Sequence, residues 1–115
     1  MLDLSPTEQA EIREILARIL PEKTEAWVFG SRATSRARRF SDLDLLVRAD
    51  APLSFGMLAE LEEAFSESDL PFRVDVVDAH RISDEFRAHI TAELQLNSHE
   101  LFRTAVLTIG SNFRP

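Results

Sequence analysis

Residues 43–47, Leu-Asp-Leu-Leu-Val, form a short apolar run broken by a single aspartate. A nearly continuous apolar run of this length is typical of a strand that is covered on both faces. Two further short runs, at residues 25–29 and 72–77, also predict strands. The chain is therefore expected to build a small sheet, and helices must cover it.

Helix signals alternate with these runs. Ser5 can cap a helix, Pro6 suits the first helical position, and Glu8 completes a capping box. Apolar residues then recur at helical spacing until Pro21, which predicts the end of this helix. The first element is expected to pack against the core.

Three later helices are predicted in the same way. Ser54 is expected to cap the second, and the polar stretch 66–71 ends it. Residues 83–85 predict the start of the third, because acidic side chains favour the first turn of a helix. Apolar residues between 101 and 109 predict a fourth helix, followed by a frayed tail at 110–115.

The element order predicts a single α/β domain with a small mixed sheet of three to four strands flanked by helices. All 115 residues fit one domain, with a core at about 5–94 and a C-terminal helix and tail at 95–115.

Composition excludes several classes of protein. The chain has no cysteine, which rules out disulfides, thiolate metal sites and a cysteine nucleophile and suits the reducing cytoplasm. No apolar run approaches the roughly 20 residues of a membrane helix. The net charge of -7 disfavours direct binding to nucleic acid, although four of the arginines fall within residues 32–39.

Asp42 and Asp44 stand one residue apart at the head of the second predicted strand. Residues two apart on a strand share a face, so both carboxylates are expected to project together. Two neighbouring carboxylates repel each other unless a cation lies between them, and Mg²⁺ prefers such oxygen ligands. A pair of surface aspartates at a strand end would show the same pattern.

Asp75 strengthens the metal-binding interpretation. It lies between two valines of the third predicted strand, where a charge is costly unless it is paired or bound to a metal. If that strand neighbours the second, Asp75 can reach the same metal. Asp78 is three residues further on and is expected on the opposite face, as a loop or cap residue.

Gly30 and Ser31 follow the first predicted strand and offer an anion-binding turn. Glycine lets the backbone approach a ligand closely, and backbone N–H groups at a helix start can hold phosphate oxygens. Arginines 32, 36, 38 and 39 add possible phosphate contacts. The segment from 31 to 39 is predicted to be a short helix or helix-like loop.

Gly-Ser, ten residues and Asp-x-Asp, followed by an aspartate in a third apolar run, resemble the signature of the nucleotidyltransferase superfamily related to DNA polymerase beta. The short length is similar to that of the minimal, MntA-like group. The resemblance covers about residues 25–90 and implies the nucleotidyltransferase fold. It also implies that Asp42, Asp44 and Asp75 bind two Mg²⁺ ions, and that Gly30 and Ser31 hold the triphosphate of ATP. Arg32 and Arg39 are the arginines predicted to bind the nucleotide with them.

Two positions depart from the family pattern. Many relatives have glycine at the place of Ser35 and a polar residue at that of Phe40. These two differences bear on the shape of the phosphate loop and leave the predicted metal ligands unchanged. The implied reaction needs no histidine, and the three histidines of the chain, at 80, 89 and 99, are scattered.

The resemblance also implies an acceptor. MntA-like proteins are antitoxins that transfer AMP to a tyrosine of a partner HEPN-type RNase toxin, which predicts a hetero-oligomer with that toxin. The chain has no tyrosine, so it cannot be its own tyrosyl acceptor. Transfer to a small molecule, and an antitoxin that acts by occlusion alone, remain as alternatives.

Overall fold

The computed structural model describes residues 4–30, 42–96 and 106–108. Three helices and a four-stranded sheet alternate along this part of the chain. In chain order they are α1 (Pro6–Ile19), β1 (Glu25–Phe29), β2 (Leu43–Arg48), α2 (Phe55–Ser66), β3 (Val74–Asp78), α3 (Asp84–Leu96) and β4 (Val106–Thr108). The predicted α/β class is confirmed.

Local capping sets the start of α1. The Ser5 hydroxyl accepts a hydrogen bond from the Glu8 backbone N–H at 3.1 Å, and the Glu8 carboxylate accepts one from the Ser5 N–H at 2.9 Å. Leu20 ends the helix in an extended conformation, directly before Pro21. Both predicted ends of this helix are confirmed, and Ser54 caps α2 in a similar way through the Met57 N–H.

The strands lie in the order β3-β2-β1-β4. β2 is antiparallel to β1 and parallel to β3, whereas β4 pairs antiparallel with the other edge of β1. The sheet is therefore mixed. The neighbours β2 and β3 begin at the same end of the sheet, which is also where β1 ends.

The sheet separates two groups of apolar side chains. Helices α1 and α2 cover one face around a fully buried core that includes Ile12, Leu16, Val28, Leu45 and Leu61. On the opposite face, Ile90 of α3 packs with Phe29, and Trp27, Leu46 and Val77 are partly buried against them. Both faces of β2 are covered, as its apolar run predicts.

The strand β4 corrects the prediction of a helix over residues 101–109. Residues 106–108 are extended and pair with residues 25–27 of β1. The apolar residues of this region suit either structure, and the open edge of β1 selects the strand because pairing satisfies backbone groups on both chains. The remaining residues of the predicted helix lie outside the described residues.

Asp78 is the last residue of β3 and is buried, so its predicted place in a loop is wrong, whereas the predicted face, opposite to Asp75, is confirmed. Its carboxylate accepts hydrogen bonds from the N–H groups of Leu53, at 2.8 Å, and His80, at 2.9 Å. The guanidinium of Arg81 lies 3.5 Å away. Asp78 thus ties the start of α2 to the end of the sheet, on the face opposite to Asp75.

We expect Asp78→Ala to lower the free energy of unfolding by about 3 kcal/mol, because it leaves the buried Leu53 N–H unpaired and Arg81 without its counter-ion. Urea denaturation measures this loss. Asp50→Ala, at an exposed position just after β2, is the control and should change stability by less than about 0.5 kcal/mol. Equal stabilities of the two variants would contradict the assigned role.

Among the described helices, none has the length and apolar character needed to cross a membrane.

Candidate active site

Asp44 and Asp75 lie side by side on neighbouring strands. They are register partners in the parallel pair of β2 and β3. Side chains at paired positions project from the same face of a sheet, so both carboxylates lie on the face that α3 covers. Both residues are half-buried, and the Asp75 side chain is 39% exposed. Solvent and a ligand can reach this pair.

Gly30 closes the opposite flank of Asp44. Phe29, at the end of β1, is the register partner of Asp44, and Gly30 follows it with φ of 77°. A Cβ atom at position 30 would lie within the van der Waals distance of Asp44 Oδ2 and 3.3 Å from its Cγ. The left-handed backbone and the close carboxylate both require glycine here.

Within the described residues, Arg73 places a cation beside Asp75. Its Nε lies 3.3 Å from Asp75 Oδ1, and its side chain is 76% exposed. Arg73 and Asp75 are two residues apart in an extended chain, so alternation alone could have indicated the contact. Sequence reasoning missed this contact because the denser group of arginines, at residues 32–39, is the stronger signal for phosphate binding. An ion pair this exposed contributes little stability and can be exchanged for another partner.

Asp42 lies immediately before β2 and is exposed. In the part of the chain that the structure describes, no three acidic or histidine side chains stand grouped closely enough to enclose a metal ion. The donor chemistry nevertheless suits Mg²⁺, because carboxylate oxygens are the hard ligands it takes, usually one or two together with substrate phosphates. The pair formed by Asp44 and Asp75 meets that requirement.

The other predicted phosphate-binding residues lie outside the described residues. These are Ser31, Arg32 and Arg39, together with Ser35 and Phe40, the two positions that depart from the family pattern. Their assignment therefore stays a prediction. Gly30, the last described residue before this segment, lies directly beside Asp44.

The two described histidines lie in different segments of the fold. His80 follows the end of β3, and its Nε2 lies 2.7 Å from the backbone oxygen of Ala49, at the end of the sheet opposite to Asp75. His89 is exposed on α3. His99 lies outside the described residues.

Aromatic side chains of β1 and α3 pack together next to the carboxylate pair. Phe29 is buried, and the Phe86 ring of α3 meets it edge-to-face with 6.3 Å between the ring centroids. Ile90 is almost completely buried against the same side chain. This packing fixes the end of β1, and with it the position of Gly30 relative to Asp44.

A family model described as "Polymerase beta, Nucleotidyltransferase" matches residues 10–99. The chain is 45% identical, over 86 residues, to "Probable protein adenylyltransferase MntA" of Haemophilus influenzae, and the match covers 75% of each protein. A crystal structure described as a toxin-antitoxin with AMP-PNP superposes with a TM-score of 0.65. It is 22% identical and covers 84% of this chain and 85% of that one, which shows a shared fold.

Proposed function

The chain belongs to the polymerase beta nucleotidyltransferase family, in its MntA-like group, and from this premise we propose that it is a Mg²⁺-dependent protein adenylyltransferase. It transfers AMP from ATP to a tyrosine of a HEPN-type RNase toxin and thereby acts as an antitoxin. The named activity of the Haemophilus influenzae relative supports the reaction, and the toxin-antitoxin of like fold supports the kind of partner.

The observation that carries the proposal is the pairing of Asp44 with Asp75 beside Gly30. Two carboxylates on one face supply oxygen ligands for a divalent cation. Because Gly30 has no Cβ, the Asp44 carboxylate can lie against the residue that precedes the predicted phosphate-binding segment. Two neighbouring carboxylates repel each other and a bound cation relieves that repulsion, so the pair favours a metal-using enzyme over a module that acts by occlusion alone.

In the proposed reaction, the tyrosine hydroxyl oxygen forms a bond to the α-phosphorus of ATP. The bond from that phosphorus to the bridging oxygen of the β-phosphate breaks, and pyrophosphate leaves with the electron pair. The hydroxyl proton is released to solvent. The products are an AMP-tyrosine phosphodiester and pyrophosphate, and no covalent intermediate with this chain is needed.

Each residue has a distinct role in this proposal. Asp42, Asp44 and Asp75 would hold two Mg²⁺ ions, which would supply charge stabilisation for the phosphates and would lower the pKa of the attacking hydroxyl. Gly30 gives the triphosphate access to the backbone. Ser31, Arg32 and Arg39 bind its oxygens, and their charge favours the departing pyrophosphate.

The proposal is tested by incubating the chain with ATP labelled on the α-phosphate, Mg²⁺ and the toxin encoded beside it. We expect label on a toxin tyrosine, located by mass spectrometry, and loss of the RNase activity of the toxin. Label on an added small molecule instead would favour the small-molecule transferase. Neutralisation of the toxin without label would favour an antitoxin that acts by occlusion.

A further inference from the structure

The outer side of β3 carries a groove that the mechanism above does not use. Its volume is about 450 Å³. Its lining is both apolar and charged. We call the apolar lining residues the floor, and they include Leu58, Phe65, Leu70, Phe72 and Val76; we call the charged ones the rim, and they are Glu62, Arg73 and Asp75. One end of the groove is therefore a carboxylate of the proposed active site.

The backbone of β3 offers hydrogen-bonding groups to this groove. The Arg73 C=O accepts from the Leu43 N–H, and the Ala79 N–H donates to the Val47 C=O, each at 2.8 Å. Successive residues of a strand direct their backbone groups to alternate sides, so the odd-numbered residues of β3 face β2. Val76 consequently directs its N–H and C=O away from β2, toward the outer edge.

β3 is the edge strand of the described sheet. An edge strand presents N–H and C=O groups that can pair with an added strand from another chain. In that binding mode the main chain supplies hydrogen bonds, and pockets for alternate side chains supply specificity. The apolar floor beneath Val76 is such a pocket, and its volume accommodates a few side chains.

The position of the groove distinguishes acceptor from nucleotide. Gly30 directly follows β1, Asp44 lies on β2 and Asp75 on β3, and the groove lies beyond β3. The proposed phosphate turn and the groove thus lie on opposite flanks of Asp44. A triphosphate is disfavoured in the groove because Arg73, the cation among its lining residues, is already paired with Asp75, and the second carboxylate, of Glu62, adds negative charge.

We propose that the groove binds an extended segment of the acceptor protein, which adds to β3 as a further strand and delivers its hydroxyl-bearing side chain to Asp75. This inference rests on the proposed function, since it assigns the acceptor side of the same site. The acceptor is a protein because both the open backbone edge and the apolar floor suit a polypeptide.

The first test is Val76→Pro, which removes the outward N–H and sets a proline ring against any added strand. We expect the KM for the toxin to rise about tenfold, because the variant loses one hydrogen bond and fits an added strand less well. The KM for ATP should change less than about twofold. A toxin KM equal to that of wild type in a folded variant would overturn the inference.

A matched pair on α2 keeps the inference testable if Val76→Pro fails to fold. Glu62→Trp places an indole in the groove, whereas Glu63→Trp makes the same chemical change at the adjacent exposed residue, which does not line it. We expect the toxin KM to rise about tenfold for Glu62→Trp only. Equal KM values for the two variants would contradict the groove assignment.

Calorimetric titration of the chain with the toxin, without ATP, separates the two proposals. If wild type binds the toxin without labelling it, the proposed function fails, while weaker binding by Glu62→Trp than by Glu63→Trp still supports the groove. If wild type labels the toxin and both variants bind it equally, the groove assignment alone fails. A free chain that is a dimer until Glu62→Trp dissociates it would assign the groove to a second copy and overturn the inference.

Discussion

Asp44→Asn and Asp75→Asn are each expected to lower the rate of AMP transfer on the order of a thousandfold, and the double variant is expected to be little worse than either. The reason is that the two carboxylates are register partners on one face, and in the proposed function they would act on the same metal-nucleotide complex. Residues that act as a unit are strongly non-additive, so one loss removes the benefit of the other. Initial rates of toxin labelling measure all three variants.

Asp50→Asn is the matched control for both single variants. It makes the same substitution at an exposed residue after the other end of β2 and should transfer AMP at the wild-type rate. Thermal unfolding of each variant separates loss of chemistry from loss of fold. Multiplicative losses in the double variant would show that Asp44 and Asp75 act independently, and would contradict a single shared site.

Gly30→Ala is expected to reduce transfer on the order of a hundredfold and to lower stability by about 1–2 kcal/mol. The stability loss follows from a side chain at φ of 77°, in the left-handed region. The activity loss follows because the new Cβ would collide with the Asp44 carboxylate. A displaced carboxylate would no longer have the geometry that the proposed metal site needs. Chemical denaturation and labelling rates measure the two effects separately.

Gly56→Ala is the control for the glycine substitution. Gly56 lies in the first turn of α2, and the nearest heavy atom to a new Cβ, Ser54 Oγ, is 3.9 Å away. Alanine suits a helix better than glycine, so stability should stay the same or rise by up to about 1 kcal/mol, with transfer unchanged. A Gly30→Ala variant that kept the wild-type rate would show that the Gly30–Asp44 contact is not needed for catalysis.

The carboxylate pair is the part of the candidate site that the sequence predicted most completely. Alternation along a strand placed Asp44 and Asp75 on defined faces, but their meeting depended on β3 lying next to β2. The sequence pattern does not determine which strands are neighbours, because strand order is set by long-range packing. The parallel register of residues 43–47 with 74–78 supplies what was missing.

The contacts that sequence reasoning missed all depend on residues distant in the chain. β4 forms because the edge of β1 accepts it, some 80 residues away, and three extended residues carry too weak a local signal. The sequence around Asp78 predicts a loop or cap residue. Its buried hydrogen-bond partner, the Leu53 N–H, lies 25 residues earlier in the chain, just before α2. Local patterns fix helix ends well because capping partners are three residues apart, as Ser5 and Glu8 show.

The central claim, that Asp44 and Asp75 serve one metal-nucleotide site beside Gly30, is tested most directly by a crystal structure with Mg²⁺ and a non-hydrolysable ATP analogue. We predict that both carboxylates contact the same Mg²⁺ at about 2.1 Å, with Asp75 released from Arg73 and the triphosphate against the Gly30 turn. A nucleotide bound elsewhere, with Asp75 still paired to Arg73 and no cation between the carboxylates, would contradict the claim.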